Sequence, residues 1–112
     1  MLLERYQILL ANEGAKRILS KPYGLELLFV LAVCEAENAD NGVEDSYELL
    51  RHFAPRRAAF SNFIKTLESE GHIVKTVSSI KASKNILRLS NDVGKAFKAF
   101  KAFNAFKAFK AS

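Results

Sequence analysis

The spacing of apolar residues changes at Gly71, and this change constrains the possible folds more than any other feature of the chain. Between residues 56 and 70 the apolar side chains recur at helical intervals, at Phe60, Phe63, Ile64 and Leu67. Gly71 suits the end of this helix. Beyond it the period becomes two, which predicts that Ile73, Lys75 and Val77 face one way and Val74 and Thr76 the other. Residues 86–89 are predicted to form a second strand, and the small, basic residues 78–84 to form the loop before it, so a β-hairpin is expected directly after a helix.

The rest of the chain is predicted to be helical. The expected helices are an amphipathic one over 2–12, a short one from Ala15 to Leu19, a core helix over 24–37, one from Asp45 to about Phe53, one over 55–70, and a last one from Asn91 or Asp92. The segment 24–37 is apolar on most faces, which is typical of a helix at the centre of a core.

Turn and capping residues set the expected boundaries of these helices. Asn12-Glu13-Gly14 is expected to end the first helix, and Lys21-Pro22-Tyr23-Gly24 to form a break. Residues 38–42 have the composition of a turn. Asp45, with Glu48 three residues later, predicts a capping box, and Pro55 is expected in the first turn of its helix.

Charge is divided unevenly along the chain. Residues 1–55 contain 5 Lys or Arg and 9 Asp or Glu, whereas residues 56–112 contain 12 Lys or Arg and 3 Asp or Glu. The whole chain of 112 residues has a formal net charge of +5. An acidic half joined to a basic half predicts a scaffold that carries a surface for a polyanion.

Few residues suggest chemistry. Cys34 lies in an apolar run, which predicts a buried, inert thiol. His52 and His72 have no cysteine or carboxylate cluster at ligand spacing, so no metal site is expected. No nucleophile motif, phosphate loop or paired carboxylates stand out, and we expect neither an enzyme nor a cofactor. The apolar run that contains Cys34, residues 27–34, is too short to cross a bilayer, and no secretion signal is evident. We therefore expect a cytoplasmic, nucleoid-associated protein without a membrane partner.

The C-terminal residues 95–112 repeat Lys-Ala-Phe with a period of three. Ala, Lys and Phe favour a helix, but the phenylalanines drift by about 60° per repeat around it. Three interpretations remain open for this tail. In the first, the tail is a dimerisation helix in which Phe97, Phe100 and Phe103 pack against a second subunit's terminal helix and against Leu2, Tyr6 and Leu9. In the second, its lysines add electrostatic attraction to DNA. In the third, it lies on a membrane surface.

The order of elements and one continuous stretch resemble a known family. Residues 49–73 resemble the helix-turn-helix of the MarR family, with Leu67-Glu68-Ser69-Glu70-Gly71 matching the Leu-Glu-x-x-Gly that leads into the wing. Leu89-Ser90-Asn91-Asp92-Val93-Gly94 looks like the Leu-Thr-x-x-Gly that follows it. The apolar positions of the motif would be filled by Leu49, Phe53, Phe60, Phe63, Ile64 and Leu67. PadR-like and short plasmid or viral regulators share much of this pattern.

The resemblance implies a mainly α fold with a small β-hairpin wing (α+β): a winged helix-turn-helix with N- and C-terminal dimerisation helices. Residues 1–94 would be the DNA-binding domain, with a recognition helix at about 55–70 and a wing at about 73–89, and residues 95–112 the dimerisation helix. The outward positions of the recognition helix carry two arginines, small residues and an amide, which suit a major groove. The expected DNA-binding residues are Arg56, Arg57, Ala58, Ser61, Asn62 and Lys65 on the helix and Lys75, Ser79, Lys81 and Lys84 on the wing.

These features predict a homodimeric transcriptional regulator that binds double-stranded DNA at specific sequences. One alternative is a DNA architectural, plasmid-segregation or replication-associated protein with low sequence specificity. Another is a winged helix that binds only proteins. The sequence does not identify a small-molecule effector, an operator or the direction of regulation.

Overall fold

The computed structural model describes residues 2–77 and 85–100, which form six helices and one antiparallel hairpin. The elements are α1 (Leu2–Ala11), α2 (Glu13–Leu19), α3 (Gly24–Ala36), α4 (Val43–Leu49), α5 (Arg57–Ser69), β1 (Ile73–Val77), β2 (Asn85–Leu89) and α6 (residues 91–100). The expectation of a mainly helical α+β chain with a small hairpin is therefore confirmed. The loop expected at 78–84 and the tail beyond residue 100 lie outside the described residues.

Two helices end where the backbone enters the left-handed region. At the end of α5, Gly71 has φ +82°, and the N–H of His72 bonds the carbonyl of Leu67 at 2.9 Å. Asn38 takes the same role after α3 with φ +53°, while the N–H of Ala39 bonds the carbonyl of Cys34 at 2.8 Å. Both are Schellman-type ends, which satisfy helix carbonyls that would otherwise lack partners. The predicted stop at Gly71 and the predicted turn at 38–42 are confirmed.

The predicted end of the first helix at Asn12 is confirmed, but three predicted helix starts are wrong. The second helix begins at Glu13 rather than Ala15, because the side-chain oxygen of Asn12 accepts the Ala15 N–H at 3.0 Å and so caps α2. Gly42 is the N-cap of α4, and Asp45 lies three residues inside, where it accepts the Gly42 N–H. Pro55 precedes α5, whose N-cap is Arg56.

The core is organised around α3. Leu27, Leu28 and Leu31 are fully buried. Buried apolar side chains from α1, α2, α5, α6 and both strands join them, and Val43 and Tyr47 of α4 pack against this core while partly exposed; the buried set includes Leu9, Ile18, Ile64, Leu67, Ile73, Leu87, Val93 and Phe97. Cys34 is buried as expected, and its burial raises the pKa of the thiol. However, α3 is not buried on all sides: Leu25, Phe29 and Val33, spaced four residues apart, remain about 40% exposed, at 42%, 39% and 44%.

The last helix belongs to the same core. Val93 and Phe97 are 1% exposed, and the Phe97 ring meets Phe29 of α3 edge-on with centroids 4.9 Å apart. The predicted domain boundary after residue 94 falls inside α6, and the first phenylalanine of the repeat is packed against the preceding domain. The start of the repeat is therefore part of the globular fold.

The hairpin is paired in the register Ile73↔Leu89 to Val77↔Asn85. Of β1 only Ile73 is buried, and Val77, predicted to share its face, is 63% exposed. The alternating pattern of β1 predicted one buried face along the whole strand, but only Ile73, at the base of the hairpin, reaches the core. The outer half of β1 projects away from the packed helices.

Two glycines offer a matched test of this packing. A Cβ at Gly24 would lie 2.1 Å from the backbone oxygen of Ile18, where α2 packs on the start of α3. A Cβ at Gly94, inside α6, would meet nothing closer than the Cβ of Leu89 at 3.9 Å. We expect Gly24→Ala to lower the free energy of unfolding by about 3 kcal/mol, since backbone cannot move aside easily. We expect Gly94→Ala to raise it by up to about 1 kcal/mol through helix propensity. Urea unfolding measures both, and equal effects would contradict this packing.

Candidate nucleic-acid interface

One face of α5 is exposed and carries no carboxylate in its first three turns. Ala58, Asn62 and Lys65 are exposed and Ser61 is half-buried, while Phe60, Phe63, Ile64 and Leu67 turn inward and are buried. The predicted division of α5 into an outward and an inward face is therefore confirmed. The outward face offers a cation, an amide and two small residues. Such a set can approach a surface closely and hydrogen-bond to it.

The two arginines at the start of α5 are both exposed but differ in their contacts. The guanidinium of Arg57 forms an ion pair with Glu44 and lies 4.9 Å from the centre of the Tyr47 ring, so α4 positions it. Within the described residues, Arg56 has no ion-pair partner. Arg56 is the N-cap of α5 and Arg57 its first residue, so both cations lie at the positive end of the helix dipole.

Two carboxylates at the C-terminal end of α5 form ion pairs with basic side chains. Glu68 lies 3.6 Å from the Nζ of Lys75 on β1, and Glu70 lies 3.1 Å from the Nε of Arg17. The ammonium of Lys75, a predicted DNA contact, is thus paired with a carboxylate of α5. The other predicted wing contacts, Ser79, Lys81 and Lys84, lie outside the described residues.

The connection between α4 and α5 is longer than the short turn implied by the family resemblance. It spans residues 50–56, and α4 stops at Leu49 rather than continuing to Phe53. The carboxylate of Glu26 on α3 accepts the backbone N–H groups of Arg51 at 3.0 Å and His52 at 2.9 Å. At the far end, the hydroxyl of Tyr47 donates to the carbonyl of Pro55 at 2.6 Å. The connection is therefore held at both ends.

The two hydrogen bonds that Glu26 accepts from the backbone of Arg51 and His52 form a clamp, and the pKa of Glu26 responds to it. Desolvation alone would raise this pKa. The two hydrogen bonds and the positive charges of His52 and Arg51 lower it below the ordinary value of 4.5. A lowered folded-state pKa means that the carboxylate stabilises the fold above its unfolded pKa. That stabilisation is lost as the pH falls through the folded pKa.

We therefore expect the NMR amide shifts of Arg51 and His52 to titrate together, with a midpoint below 4.5. Glu26→Gln should remove this titration, because the amide has no ionisable proton, while the shifts of Phe63 and Ile64, which have no carboxylate within three residues, serve as internal controls. A midpoint at or above the ordinary value would show that the clamp does not form.

Phe53 lies at the tip of this connection and was wrongly predicted as a core residue. Its side chain is 77% exposed, and its backbone has φ +56°, a conformation that bulky residues rarely adopt. Leu49, predicted on the same apolar face, is 44% exposed. The predicted inward face of α4 was wrong, because Val43, Ser46 and Tyr47 turn toward the core while Leu49 lies on the exposed face. Residues four apart share a helix face, so a longer α4 would also have left Phe53 exposed.

Two cations of the acidic half also lie beside α5, which sequence reasoning missed. The guanidinium of Arg17 and the ammonium of Lys21 lie 6.0 and 5.3 Å from the centre of the Phe63 ring. The only sequence signal was their spacing of four residues around the end of α2. The positive surface around α5 therefore extends into the half of the chain that counts as acidic by composition.

A polar network at the base of the hairpin was also unpredicted. The guanidinium of Arg88 on β2 donates to the side-chain oxygen of Asn41 at 2.5 Å and to the carbonyl of Ala39 at 2.6 Å. Asn41, which is 3% exposed, donates to the hydroxyl of Ser46 at 3.0 Å and accepts the Leu87 N–H through its backbone at 2.9 Å. These bonds fix the hairpin to the α3–α4 turn.

The residues predicted for dimerisation are mostly used within one chain. Leu9, Phe97 and Phe100 are buried, and the Phe100 ring lies 6.2 Å from Tyr6, as expected for the two terminal helices packing together. Tyr6 retains 38% exposure. The side chain of Leu2 and residue Phe103 lie outside the described residues. A role for this set between two chains stays a prediction.

The two histidines are far from forming a metal centre. His52 lies in the α4–α5 connection, whereas His72 packs against Gly14 and lies 3.8 Å from Glu70. In residues 2–77 and 85–100, no group of three or more His, Cys, Asp or Glu side chains is placed to hold a metal ion. Among the helices in these ranges, none has the length and apolar content needed to cross a membrane.

Comparison with known proteins adds no relative to this description. A scan against protein-family models, a search of curated proteins and a search of solved structures each gave no match.

Proposed function

We propose that this protein is a homodimeric transcriptional regulator that binds specific sequences of double-stranded DNA. In this proposal α4 and α5 form a helix-turn-helix, α5 is the recognition helix, and the β1–β2 hairpin is the wing. The observation that carries the proposal is the exposed face of α5, where Ala58, Ser61, Asn62 and Lys65 follow two arginines at the helix start. A regulator of this kind would act in the cytoplasm, on the nucleoid.

The chemistry of this face supports base recognition. An α-helix fits the major groove, and small side chains such as Ala58 and Ser61 permit close approach. The amide of Asn62 can pair bidentately with adenine, and the guanidinium of Arg56 can pair with guanine. Lys65 on the helix and Lys21 beside it are available for contacts to phosphates, which position a protein on DNA without reading its sequence.

The placement of the hairpin supports a wing. Because Arg88 and Asn41 tie β2 to the α3–α4 turn, the hairpin cannot rotate freely relative to α5. A rigid hairpin beside a recognition helix could reach the backbone or the neighbouring groove of the same duplex. Its base is close to neutral, since Glu68 and Glu70 are both paired with cations.

The apolar stripe of α3 supports the homodimer. Leu25, Phe29 and Val33 form one row of half-exposed side chains, and Phe29 packs on Phe97 of α6. Exposed apolar rows of this kind mark protein interaction surfaces. In the proposed dimer the stripes of two chains cover each other, so that two recognition helices can read half-sites about one helical turn apart.

A charged residue in the stripe should separate the two chains. In sedimentation analysis Val33→Glu is expected to be a monomer where wild type is a dimer, because burying an unpaired carboxylate costs several kcal/mol. The affinity for a two-fold symmetric duplex should then fall by at least about tenfold. Gln7→Glu, an exposed site on α1 with the same change of charge, is the control. A dimer that survives Val33→Glu would place the interface elsewhere.

The proposed function is tested by selecting bound sequences from a random duplex library and then measuring the affinity against salt concentration. Convergence on a palindrome, with specific binding about 10³-fold or more tighter than random duplex, is expected. Binding without convergence, accompanied by a steep salt dependence, would instead indicate a DNA architectural or segregation protein. Failure to bind duplex DNA would overturn the proposal.

A further inference from the structure

We propose that Phe53 contacts the C5-methyl group of a thymine in the major groove, next to the bases read by α5. This inference rests on the proposed function and assigns it a further specificity-determining residue. It starts from a side chain whose exposure and backbone conformation are both unfavourable in the isolated chain.

Both unfavourable features are present at the same residue. Among the large hydrophobic side chains in residues 3–77 and 85–100, Phe53 is the most exposed, at 77%. Its φ of +56° places a bulky residue in the left-handed region, where glycine or asparagine is usual. Conformations of this kind persist when the surroundings enforce them, and they cluster at functional sites.

The surroundings do enforce this conformation. Glu26 holds the N–H groups of Arg51 and His52 immediately before Phe53, and the Tyr47 hydroxyl holds the carbonyl of Pro55 just after it. The two anchors come from α3 and α4, which also contribute to the packed structure. The backbone that carries the Phe53 ring is therefore held in place, and little backbone conformational entropy is lost when the ring binds.

The charges around the tip indicate what the ring would meet. Residues 49–67 contain Arg51, Arg56, Arg57 and Lys65 and no Asp or Glu. Two carboxylates from other helices reach this region: Glu44 pairs with Arg57, and Glu26 accepts backbone N–H groups next to Phe53. An apolar ring in a segment with this excess of cations fits a partner that combines anionic groups with an apolar one. Duplex DNA has this combination, since the thymine methyl is an apolar group on the base edges of its major groove and phosphates line both sides.

The position of the tip in the fold fits the same partner. Phe53 lies three residues before Arg56, the N-cap of α5. Recognition helices place their N-terminal residues against base edges, so the connection that leads into α5 would lie at the edge of the same groove. Phenylalanine is one of the side chains that contact thymine methyl groups.

The test removes one methyl group at a time. In the duplex obtained by selection, each thymine is replaced singly by deoxyuridine, and the dissociation constants of wild type, Phe53→Ala, Phe53→Gly and Ile8→Ala are measured. With wild type, one position in each half-site should lose about fourfold in affinity, the factor for burying one such carbon. Phe53→Ala and Phe53→Gly should bind thymine and deoxyuridine equally there. Ile8→Ala, another exposed apolar site, should behave as wild type.

Folding does not complicate this test, because Phe53→Gly removes the left-handed strain and should unfold at the same temperature as wild type or higher. An unchanged deoxyuridine profile in both Phe53 variants would overturn the inference while leaving the proposed function intact. Failure of wild type to bind any duplex would overturn both. Phe53-dependent binding to vesicles of equal parts phosphatidylglycerol and phosphatidylcholine, without a methyl effect on DNA, would overturn it in favour of an anionic membrane.

Discussion

Replacing Asn62 with alanine is expected to lower the affinity for the selected duplex by about 5- to 150-fold, because a bidentate contact to a base contributes about 1–3 kcal/mol of discrimination. Affinity for random duplex should change little, since Asn62 carries no charge. Ser69→Ala is the matched control, because Ser69 is also exposed on α5 but lies two turns further from its N-terminus. Fluorescence anisotropy with both duplexes measures the ratio.

Asn62 is a cleaner site for this test than Arg57. Because Arg57 pairs with Glu44 and stacks on Tyr47, its removal would alter α4 as well as any DNA contact. Equal losses on specific and random duplex in Asn62→Ala would mean that the side chain does not read a base. An unchanged affinity for both would mean that this face of α5 does not meet DNA.

Phe97→Ala is expected to lower the free energy of unfolding by about 3–5 kcal/mol, which is the usual cost of removing a buried ring from a core. Phe97 is 1% exposed and packs on Phe29 and Phe100. Folded proteins have a total stability of about 5–15 kcal/mol, so this loss should be a large fraction of the whole.

Phe53→Ala is the matched control for that measurement. The same atoms are removed from a ring that is 77% exposed, so a change within about 0.5 kcal/mol is expected. Thermal and urea unfolding of the two variants compare them directly. If Phe97→Ala were as stable as Phe53→Ala, the repeat would not belong to the core, and α6 would not pack as described.

Much of the fold could be predicted because local signals agreed with the tertiary structure. Gly71 both ends α5 and enters the left-handed region, and the change of apolar period at this residue located the helix and the hairpin. The inward face of α5 was equally evident, since Phe60, Phe63, Ile64 and Leu67 have no alternative arrangement that buries them together.

The errors arose where long-range contacts overrode local patterns. Leu49 and Phe53 continue the apolar spacing of α4, but Glu26, more than twenty residues earlier, captures the backbone N–H groups of Arg51 and His52. The helix ends at Leu49, and Phe53 lies in the connection with its side chain exposed. Nothing local to residues 49–53 indicates this contact, because its acceptor lies on another helix.

The candidate site was predicted only in part for a similar reason. The charge totals assigned Arg17 and Lys21 to an acidic scaffold, yet the packing of α2 against α5 places both over the Phe63 ring. Conversely, Lys75 and Arg57 looked like free cations in the sequence and are paired with Glu68 and Glu44. Ion pairs between elements depend on how the elements dock, which spacing along one element does not determine.

The central claim, that the exposed face of α5 lies on duplex DNA, is tested most directly by cleavage from a tethered probe. Iron–EDTA is attached to a single cysteine in a Cys34→Ala background, either at Ala59→Cys on α5 or at Gln7→Cys on α1, both exposed positions. From position 59 we predict strand cleavage confined to two windows, one in each half-site of the selected duplex. Cleavage from position 7 equal to or stronger than that from position 59, or uniform cleavage from both, would contradict the assignment of α5 as the recognition helix.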